Sequence, residues 1–308
     1  EYNISVTGQR VVVFPFGPNW DQQVTESLEW KTDILRSFNG SEDREQLRSK
    51  PRRRMGYSIS LHGNQVSQFQ NILYGWHDRQ FAVPVWFDKW RMQVALSKGD
   101  IVLPVDTAGR SFFTSGLVLL LQDSFTFEVA EVAEVNNDHI VIRKPLESDW
   151  AVSTLLYPLN LAVLPENVPT QRLTSRVVTA NLEWLADPIL TDPYIPEIPA
   201  SETYLGREII YRKPNWSSPI ENQYQSDFDM LDFEVGGYDQ VQRPSRPHQV
   251  RRVQWLLKNR SDLSDFRALL GRRKGRAVPA YIPSWYPDFE VAETIATSSS
   301  AIIVKGGQ

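Results

Sequence analysis

The chain has 308 residues, of which 33 are Lys or Arg and 37 are Asp or Glu, so its net charge is −4 and its pI about 5.7. This balance argues against nucleic acid or an acidic membrane surface as a partner. The lack of cysteine excludes a disulfide scaffold and a thiolate metal site, and it is typical of proteins assembled in a reducing cytoplasm. No apolar run is long enough to span a bilayer, so we expect no membrane insertion.

The first 91 residues predict a β-rich module that contains one short helix. Runs of β-branched or alternating residues predict strands at 10–13, 24–30 and 56–61. Apolar residues at helical spacing follow at Val66, Phe69, Ile72 and Leu73. Gly75 is expected to end this helix. Residues 81–87 contain a proline and predict a strand at the edge of a sheet.

Residues 92–165 predict a small β-barrel or sandwich. Turn sequences such as Lys98-Gly99-Asp100 and Asn136-Asn137-Asp138 separate short strand signals. These strands are predicted at residues 101–105, 111–113, 117–121, 126–135, 139–142 and 155–157. Residues 172–186 alternate like another strand, which we expect to complete the first module.

A proline-rich segment, residues 187–203, predicts an extended linker or an arm on a neighbouring subunit. Residues 204–288 then predict a second copy of the first module. Landmarks recur in order: Pro18 with Pro214, Phe69 with Phe266, Pro84 with Pro279, and Trp90 with Trp285. Their separations stay within 195–197 positions, which indicates an internal duplication.

The sequence therefore predicts a mainly β chain built of α+β modules. Two similar modules, each with one short helix, are separated by the small barrel or sandwich. Residues 289–308 resemble the beginning of residues 92–165 and are predicted to start a second barrel or to form a tail.

The residues that could carry catalysis form no recognised constellation. The four histidines, His62, His77, His139 and His248, have no metal-ligand spacing. No phosphate-binding loop, nucleophile elbow or zinc-protease motif is present. The acidic groups Glu26/Glu29 and Asp227/Asp229/Asp232 could act as glycosidase carboxylates, but solvated surface acids are the simpler interpretation. We therefore predict no catalytic residue, no cofactor, no metal and no enzymatic activity.

Two basic clusters and several aromatic residues are instead candidates for an assembly interface. The clusters lack a recognition helix, and acidic segments elsewhere could face them across a ring of subunits. Simple solvated loops are the alternative. The candidate interface residues are Arg48, Arg52, Arg53, Arg54, Trp86, Trp90, Arg272, Arg273, Lys274, Arg276 and Trp285.

The first module also resembles the tail proteins of long-tailed bacteriophages. The likeness lies in the strings Phe16-Gly-Pro-Asn-Trp20, Thr25-Glu-Ser-Leu-Glu-Trp30, residues 32–35, residues 47–54 and Phe81-Ala-Val-Pro-Val-Trp86. It is best in the first module and weaker in the second. Such a resemblance implies a structural protein of the tail tip or baseplate, assembled in the host cytoplasm and located in the virion.

The implied partners are the chain itself and the tube, hub and fibre proteins of the tail. Two similar modules per chain would let a trimer present six of them, which would adapt a three-fold hub to a six-fold tube. A hexamer with stacked or concentric rings is the alternative. A tail-associated protein that binds or cleaves carbohydrate, through its aromatic and paired acidic residues, is the second functional hypothesis.

Overall fold

The computed structural model describes residues 3–6, 9–37, 41–187, 195–226, 228–242, 248–286, 289–296 and 301–305. The described chain is mainly β, as predicted, with 21 strands and two α-helices. It divides into two compact units. The first comprises Glu1–Asp33, Glu45–Glu197 and Asn259–Arg276, and the second comprises Ile34–Arg44, Ile198–Lys258 and Ala277–Gln308.

The first copy of the repeat contains seven strands, one helix and a short 3-10 turn. Its strands are β1 (Asn3–Val6), β2 (Gln9–Val13), β3 (Thr25–Glu29), β4 (Thr32–Arg36), β5 (Glu42–Gln46), β6 (Arg52–His62) and β7 (Phe81–Pro84). Helix α1 (Asn64–Trp76) connects β6 to β7, and the 3-10 turn is Trp86–Asp88.

Eight strands follow before the second copy. They are β8 (Trp90–Arg91), β9 (Val102–Pro104), β10 (Leu117–Leu121), β11 (Phe127–Val135), β12 (His139–Ile142), β13 (Leu155–Val163), β14 (Thr170–Thr174) and β15 (Val177–Ala186). The predicted strand at residues 111–113 is wrong: Ser111 is used instead as a hydrogen-bond donor to a buried carboxylate. Most of the other predicted strands are confirmed with small shifts at their ends.

Thirteen of these strands form one sheet within the described part of the first unit. Its main path runs β1-β2-β7-β13-β10-β11-β12-β9, and β15 connects β13 to β6. Within the predicted segment 172–186, β15 pairs with β6 from Val177↔His62 to Leu185↔Arg54. The sheet therefore continues from the first module into residues 92–165, which differs from the predicted boundary at residue 92.

Strand β7 lies inside this sheet, so the prediction of an edge strand is wrong. It pairs in parallel with β2 and antiparallel with β13. Pro84 is tolerated because it is the last residue of the strand, where the missing N–H removes only one hydrogen bond. All four residues of β7 are buried.

Two apolar cores lie on opposite faces of the sheet where β10 passes through it. Leu117, Leu119 and Leu121 belong to the first core, whereas Val118 and Leu120 belong to the second. A strand buried on both faces needs apolar residues without alternation, which explains the run from Leu117 to Leu121. The first core also contains a group of edge-to-face aromatic contacts, including Phe14 with Trp184 at 4.8 Å between ring centroids.

The second copy contains six strands and one helix. Its strands are β16 (Thr203–Tyr204), β17 (Arg207–Glu208), β18 (Glu221–Gln225), β19 (Phe228–Asp232), β20 (Tyr238–Gln242) and β21 (His248–Arg252). Helix α2 (Arg260–Arg273) follows β21 and belongs to the first compact unit. The described strands of the second copy belong to the second unit.

Before the helix, backbone pairing in the second copy reproduces that of the first at a separation of 196 positions. Strands β3 and β6 pair from Thr25↔Gly56 onward, and β18 and β21 pair from Glu221↔Arg252 onward. A hydrogen bond from the Pro-Asn-Trp turn also occurs in both copies. The Asn19 N–H donates to the Ser58 carbonyl at 2.6 Å, and the Asn215 N–H donates to the Gln254 carbonyl at 2.7 Å. The two segments therefore share the same strand register and the same turn hydrogen bond.

The last strand of the repeat shows that part of the predicted correspondence is wrong. The Phe14 N–H donates to the Ala82 carbonyl, and the equivalent Ile210 N–H donates to the Tyr281 carbonyl, both at 2.9 Å. Ala82 therefore corresponds to Tyr281, 199 positions later. This places Pro84 with Pro283 rather than Pro279, and Trp86 rather than Trp90 with Trp285. Additional residues between the helix and this strand account for the change.

The ends of the two helices are defined by specific residues. Asn259 caps α2, because its side chain accepts a hydrogen bond from the Asp262 N–H at 2.8 Å. Gly75, the predicted end of α1, lies inside that helix, and Gly271 lies inside α2. Helix α2 ends at Lys274, which adopts the left-handed conformation.

The ends of the proposed linker and tail are only partly described. Of the proline-rich segment, residues 188–194 lie outside the described residues. Among the described residues of 289–308, a bridge pairs Val291 with Val304, and the second barrel stays a prediction.

Candidate assembly interface

A buried group of charged side chains joins α2 to the strands of the first copy. Glu26 on β3 lies between two guanidinium groups: Arg53 Nε donates to Oε1 at 2.6 Å, and Arg267 Nη2 donates to Oε2 at 2.8 Å. The Arg53 and Arg267 side chains are only 2% and 3% exposed. Both guanidinium groups also lie over the Phe87 ring, at 5.9 and 5.6 Å from its centroid. We call Glu26, Arg53, Arg267 and Phe87 the Glu26 cluster.

The charge of Glu26 is maintained by its two arginine partners. Burial alone would raise the pKa of Glu26, but the charges and hydrogen bonds of Arg53 and Arg267 outweigh that effect and lower the pKa below its ordinary value of 4.5. The carboxylate therefore stays ionised near neutral pH. The prediction that Glu26 is a solvated surface acid is wrong, because the side chain is only 17% exposed.

A second buried carboxylate, Asp88, holds the other end of α2. The Asp88 side chain is fully buried and accepts hydrogen bonds from the Ser111 N–H at 3.0 Å and the Ser111 hydroxyl at 2.7 Å. Arg260 Nη1 donates to its other oxygen at 2.6 Å. The same guanidinium donates to the carbonyl oxygens of Phe87 and Gly109. Arg260, in the first turn of α2, is therefore fixed by three acceptor contacts, two through Nη1 and one through Nη2.

Two glycines allow α2 to approach its neighbours closely. A Cβ atom on Gly271 would lie 2.4 Å from Ile195 Cγ2, and one on Gly275 would lie 2.9 Å from Trp30 Cβ. Gly275 also has a φ of 70°, in the left-handed region that favours glycine. Glycines at these positions therefore let α2 and the residues after it lie directly against the rest of the first unit.

The predicted interface residues fall into two groups, buried and partly exposed. Arg53 and Trp86 are buried in the first unit at 2% and 4% exposure, so they stabilise this unit and do not form part of an outer surface. Arg54 is partly exposed and forms ion pairs with Glu29 and Glu183, both at 3.0 Å. Arg52 is exposed, and Arg48 donates to the Glu29 carbonyl at 3.0 Å.

The predicted aromatic and C-terminal basic residues also have intramolecular environments. Trp90 donates through Nε1 to the Pro104 carbonyl, and the Arg110 guanidinium lies 4.9 Å from its ring centroid. Arg272 and Arg273 form the last turn of α2, Lys274 ends it, and Arg276 follows in the same unit. Trp285 is half-buried with a φ of 63°. Neither Trp86 nor Trp90 presents an open ring pair for a sugar, so these residues give no support to the carbohydrate hypothesis.

Sequence reasoning did not identify Asp88, Arg260 or Arg267, although all three hold α2 against the first copy of the repeat within the chain. A signal was present: Arg260 and Arg267 lie seven positions apart and therefore on one face of a helix. Their partners cannot be identified locally, because Glu26 and Asp88 lie far away along the chain.

Among the described residues, no cluster of histidine and acidic side chains is arranged to hold a metal ion, and no helix is both long and apolar enough to cross a membrane. In comparisons with known proteins, no family model matches the chain and no curated protein matches its sequence significantly.

Proposed function

We propose that the chain is a structural component of a bacteriophage tail tip or baseplate. In this function it forms a ring, or an assembly that adapts one symmetry to another, between the tail tube, the hub and the fibres. The viral assignment is supported by the resemblance of the first module to tail proteins, carried by segments such as Phe16–Trp20 and Phe81–Trp86.

The observation that supports an assembly function is the repeated backbone pairing. The same strand register occurs at Thr25↔Gly56 and at Glu221↔Arg252, so each chain carries two modules with the same backbone plan. The helix of the second copy docks on the first copy through Glu26 and Asp88. A surface of one module that accepts the helix of the next is a heterologous contact, and heterologous contacts generate rings when they close.

Two ring compositions remain proposals. A trimer of chains would present six modules and could join a three-fold hub to a six-fold tube. A hexamer would present twelve modules as stacked or concentric rings. The mass of the assembled protein distinguishes the two, since one chain has a mass of 35.4 kDa.

The proposal is tested by locating the chain in purified virus particles. Gold-labelled antibodies raised against the chain are applied to intact particles and to isolated tails, with antibodies against a capsid protein as the control. We expect label at the distal end of the tail. Label confined to the capsid, or no chain in the particles by mass spectrometry, would overturn the proposal.

A further inference from the structure

One face of helix α2 is packed against other residues, whereas the equivalent face of helix α1 is exposed to solvent. The helices can be aligned by the hydrogen bonds at their C-terminal ends. The His77 N–H donates to the Leu73 carbonyl, and the Lys274 N–H donates to the Leu270 carbonyl. Each α1 residue therefore corresponds to the α2 residue 197 positions later. In α2, Ala268 is 1% exposed and Gly271 lies against Ile195. The equivalent residues of α1, Asn71 and Tyr74, are exposed, and Tyr74 is 90% exposed. The surface that α2 uses for docking is thus uncovered on α1.

The strand surface that receives α2 also has an uncovered equivalent. Identical strand registers place Glu26 with Asn222 and Arg53 with Gln249. Every described residue of β18 is exposed, and so are Gln249 and Val250 on β21. Asn222 lies opposite Arg251, and Gln249 lies opposite Tyr224, so these four side chains share one face of the strand pair.

The polar residues differ between the two surfaces, and the strands and the helix differ in the same direction. In the Glu26 cluster the strands supply Glu26 and Arg53, and the helix supplies Arg267. In the uncovered pair the strands supply the amides of Asn222 and Gln249, and α1 supplies Gln70, the equivalent of Arg267. The aromatic residue is retained, because Tyr286 corresponds to Phe87, and Asn222 Nδ2 donates to its hydroxyl at 3.1 Å. Glu26, Arg53 and Arg267 are therefore replaced by neutral amides. The one cation on this face of the described strand pair is Arg251, the equivalent of Met55, whose guanidinium lies 5.7 Å from the Tyr286 ring centroid.

We propose that α1 of one molecule docks on the β18–β21 surface of a second copy of this chain, in the way that α2 docks on β3 and β6. The contact places Gln70, Asn71 and Tyr74 against Asn222, Gln249 and Tyr286. This inference rests on the proposed function as an assembly protein, and it names the surface through which copies associate.

The difference in charge gives this contact its specificity. If α2 docked on the β18–β21 surface, it would bury Arg267 opposite amides, without a carboxylate. If α1 docked on β3 and β6, Glu26 would lose one of its two cations, and Tyr74 would occupy the place of Gly271 beside Ile195. Buried charges without partners are strongly unfavourable, so each helix selects its own surface.

The test introduces the charges of the Glu26 cluster into the proposed contact. Self-association of the wild-type chain, Gln70→Arg, Asn222→Glu and the double variant is measured by sedimentation velocity. Gln70→Arg buries a guanidinium that has no acidic partner and lies on the side of Arg251, so we expect association at least about tenfold weaker. The carboxylate of Asn222→Glu lies opposite Arg251, so we expect a smaller loss from that variant. The double variant supplies an Arg–Glu pair, so we expect association within about threefold of wild type. Gln171→Arg, an exposed amide on β14 given the same charge, is the matched control and should associate normally.

Three results would overturn this inference: a wild-type chain that stays monomeric at every soluble concentration, a Gln70→Arg variant that associates normally, or a double variant as weak as Gln70→Arg. Circular dichroism of each variant confirms that the fold is retained. The labelling of virus particles is an independent measurement. Label at the tail tip together with any of these three results rejects the proposed contact while the proposed function stands, whereas missing label rejects the function.

Discussion

Glu26 and Arg267 are 241 positions apart in the sequence and form an ion pair of 2.8 Å in which both side chains are largely buried. Glu26 lies on the third strand of the first copy, and Arg267 lies on the helix of the second copy. The pair therefore joins the two copies of the repeat within one compact unit.

Replacing Arg267 with methionine should destabilise the first unit. The change keeps most of the side-chain volume but leaves Glu26 with Arg53 as its single cation. Breaking a buried pair by removing one partner costs about 3 kcal/mol in the free energy of unfolding. Urea denaturation followed by tryptophan fluorescence measures the change.

Arg252→Met is the matched control for this experiment. Arg252 pairs with Glu221 at 3.5 Å, but the two side chains are 83% and 67% exposed. Exposed ion pairs contribute about 0.5 kcal/mol, so the control should unfold nearly like wild type. Equal losses for the two variants would contradict a special contribution of the Glu26 cluster.

The Glu26 cluster should also make stability depend on acidic pH. The folded pKa of Glu26 lies below its ordinary value of 4.5, so the unfolded chain binds the proton more readily. The stabilisation is therefore fully present above pH 4.5 and is lost as the pH falls below that value toward the folded pKa. Comparing the pH dependence of the unfolding free energy of wild type and Glu26→Gln isolates this contribution. The variant should show a shallower decline, and identical slopes would contradict the prediction.

Two glycine substitutions should have opposite effects. Gly271→Ala places a Cβ atom 2.4 Å from Ile195 Cγ2 and should destabilise the chain by about 1–3 kcal/mol, because a branched side chain close to its backbone must move. Gly75→Ala in α1 meets no atom within 4 Å and should stabilise by up to about 1 kcal/mol through helix propensity. Thermal unfolding of both variants measures the contrast, and effects of the same sign would contradict the described packing.

Asp88 and Arg260 should be energetically coupled. Asp88→Asn, Arg260→Met and the double variant form a thermodynamic cycle. Because Asp88 is fully buried and lies 2.6 Å from Arg260 Nη1, we expect a coupling energy of about 2 kcal/mol in urea unfolding. The same cycle for Arg36 and Glu42, an ion pair in which the arginine is 52% exposed, is the control and should give a much smaller value. If the losses in unfolding free energy at Asp88 and Arg260 were additive, their contact would not stabilise the fold.

Local patterns predicted the elements well and their environments poorly. The apolar residues Val66 and Phe69 indicated α1, and Leu117–Leu121 indicated β10 exactly. The proline in β7 suggested an edge strand, whereas pairing with β2 and β13 places the strand inside the sheet. A proline removes one donor wherever it lies, so it cannot show which neighbours cover the rest of the strand.

The correspondence of the repeat shows the same limit. Similar residues correctly paired Phe69 with Phe266, which agrees with the helix-ending hydrogen bonds. They incorrectly paired Pro84 with Pro279, because short strings such as Ala-Val-Pro recur without structural equivalence. The hydrogen bonds of Ile210 and Phe14 assign the last strand instead.

The sequence by itself determined that this chain is mainly β, that it contains a repeat and that each copy has one helix, because hydrophobic periodicity and recurring turn residues are local properties. Only the tertiary structure decided that Arg53 and Trp86 are buried and that Glu26 holds Arg267. A charged residue carries no information about its partner until the chain brings the two together, and burial then decides whether that charge faces solvent or joins the two copies.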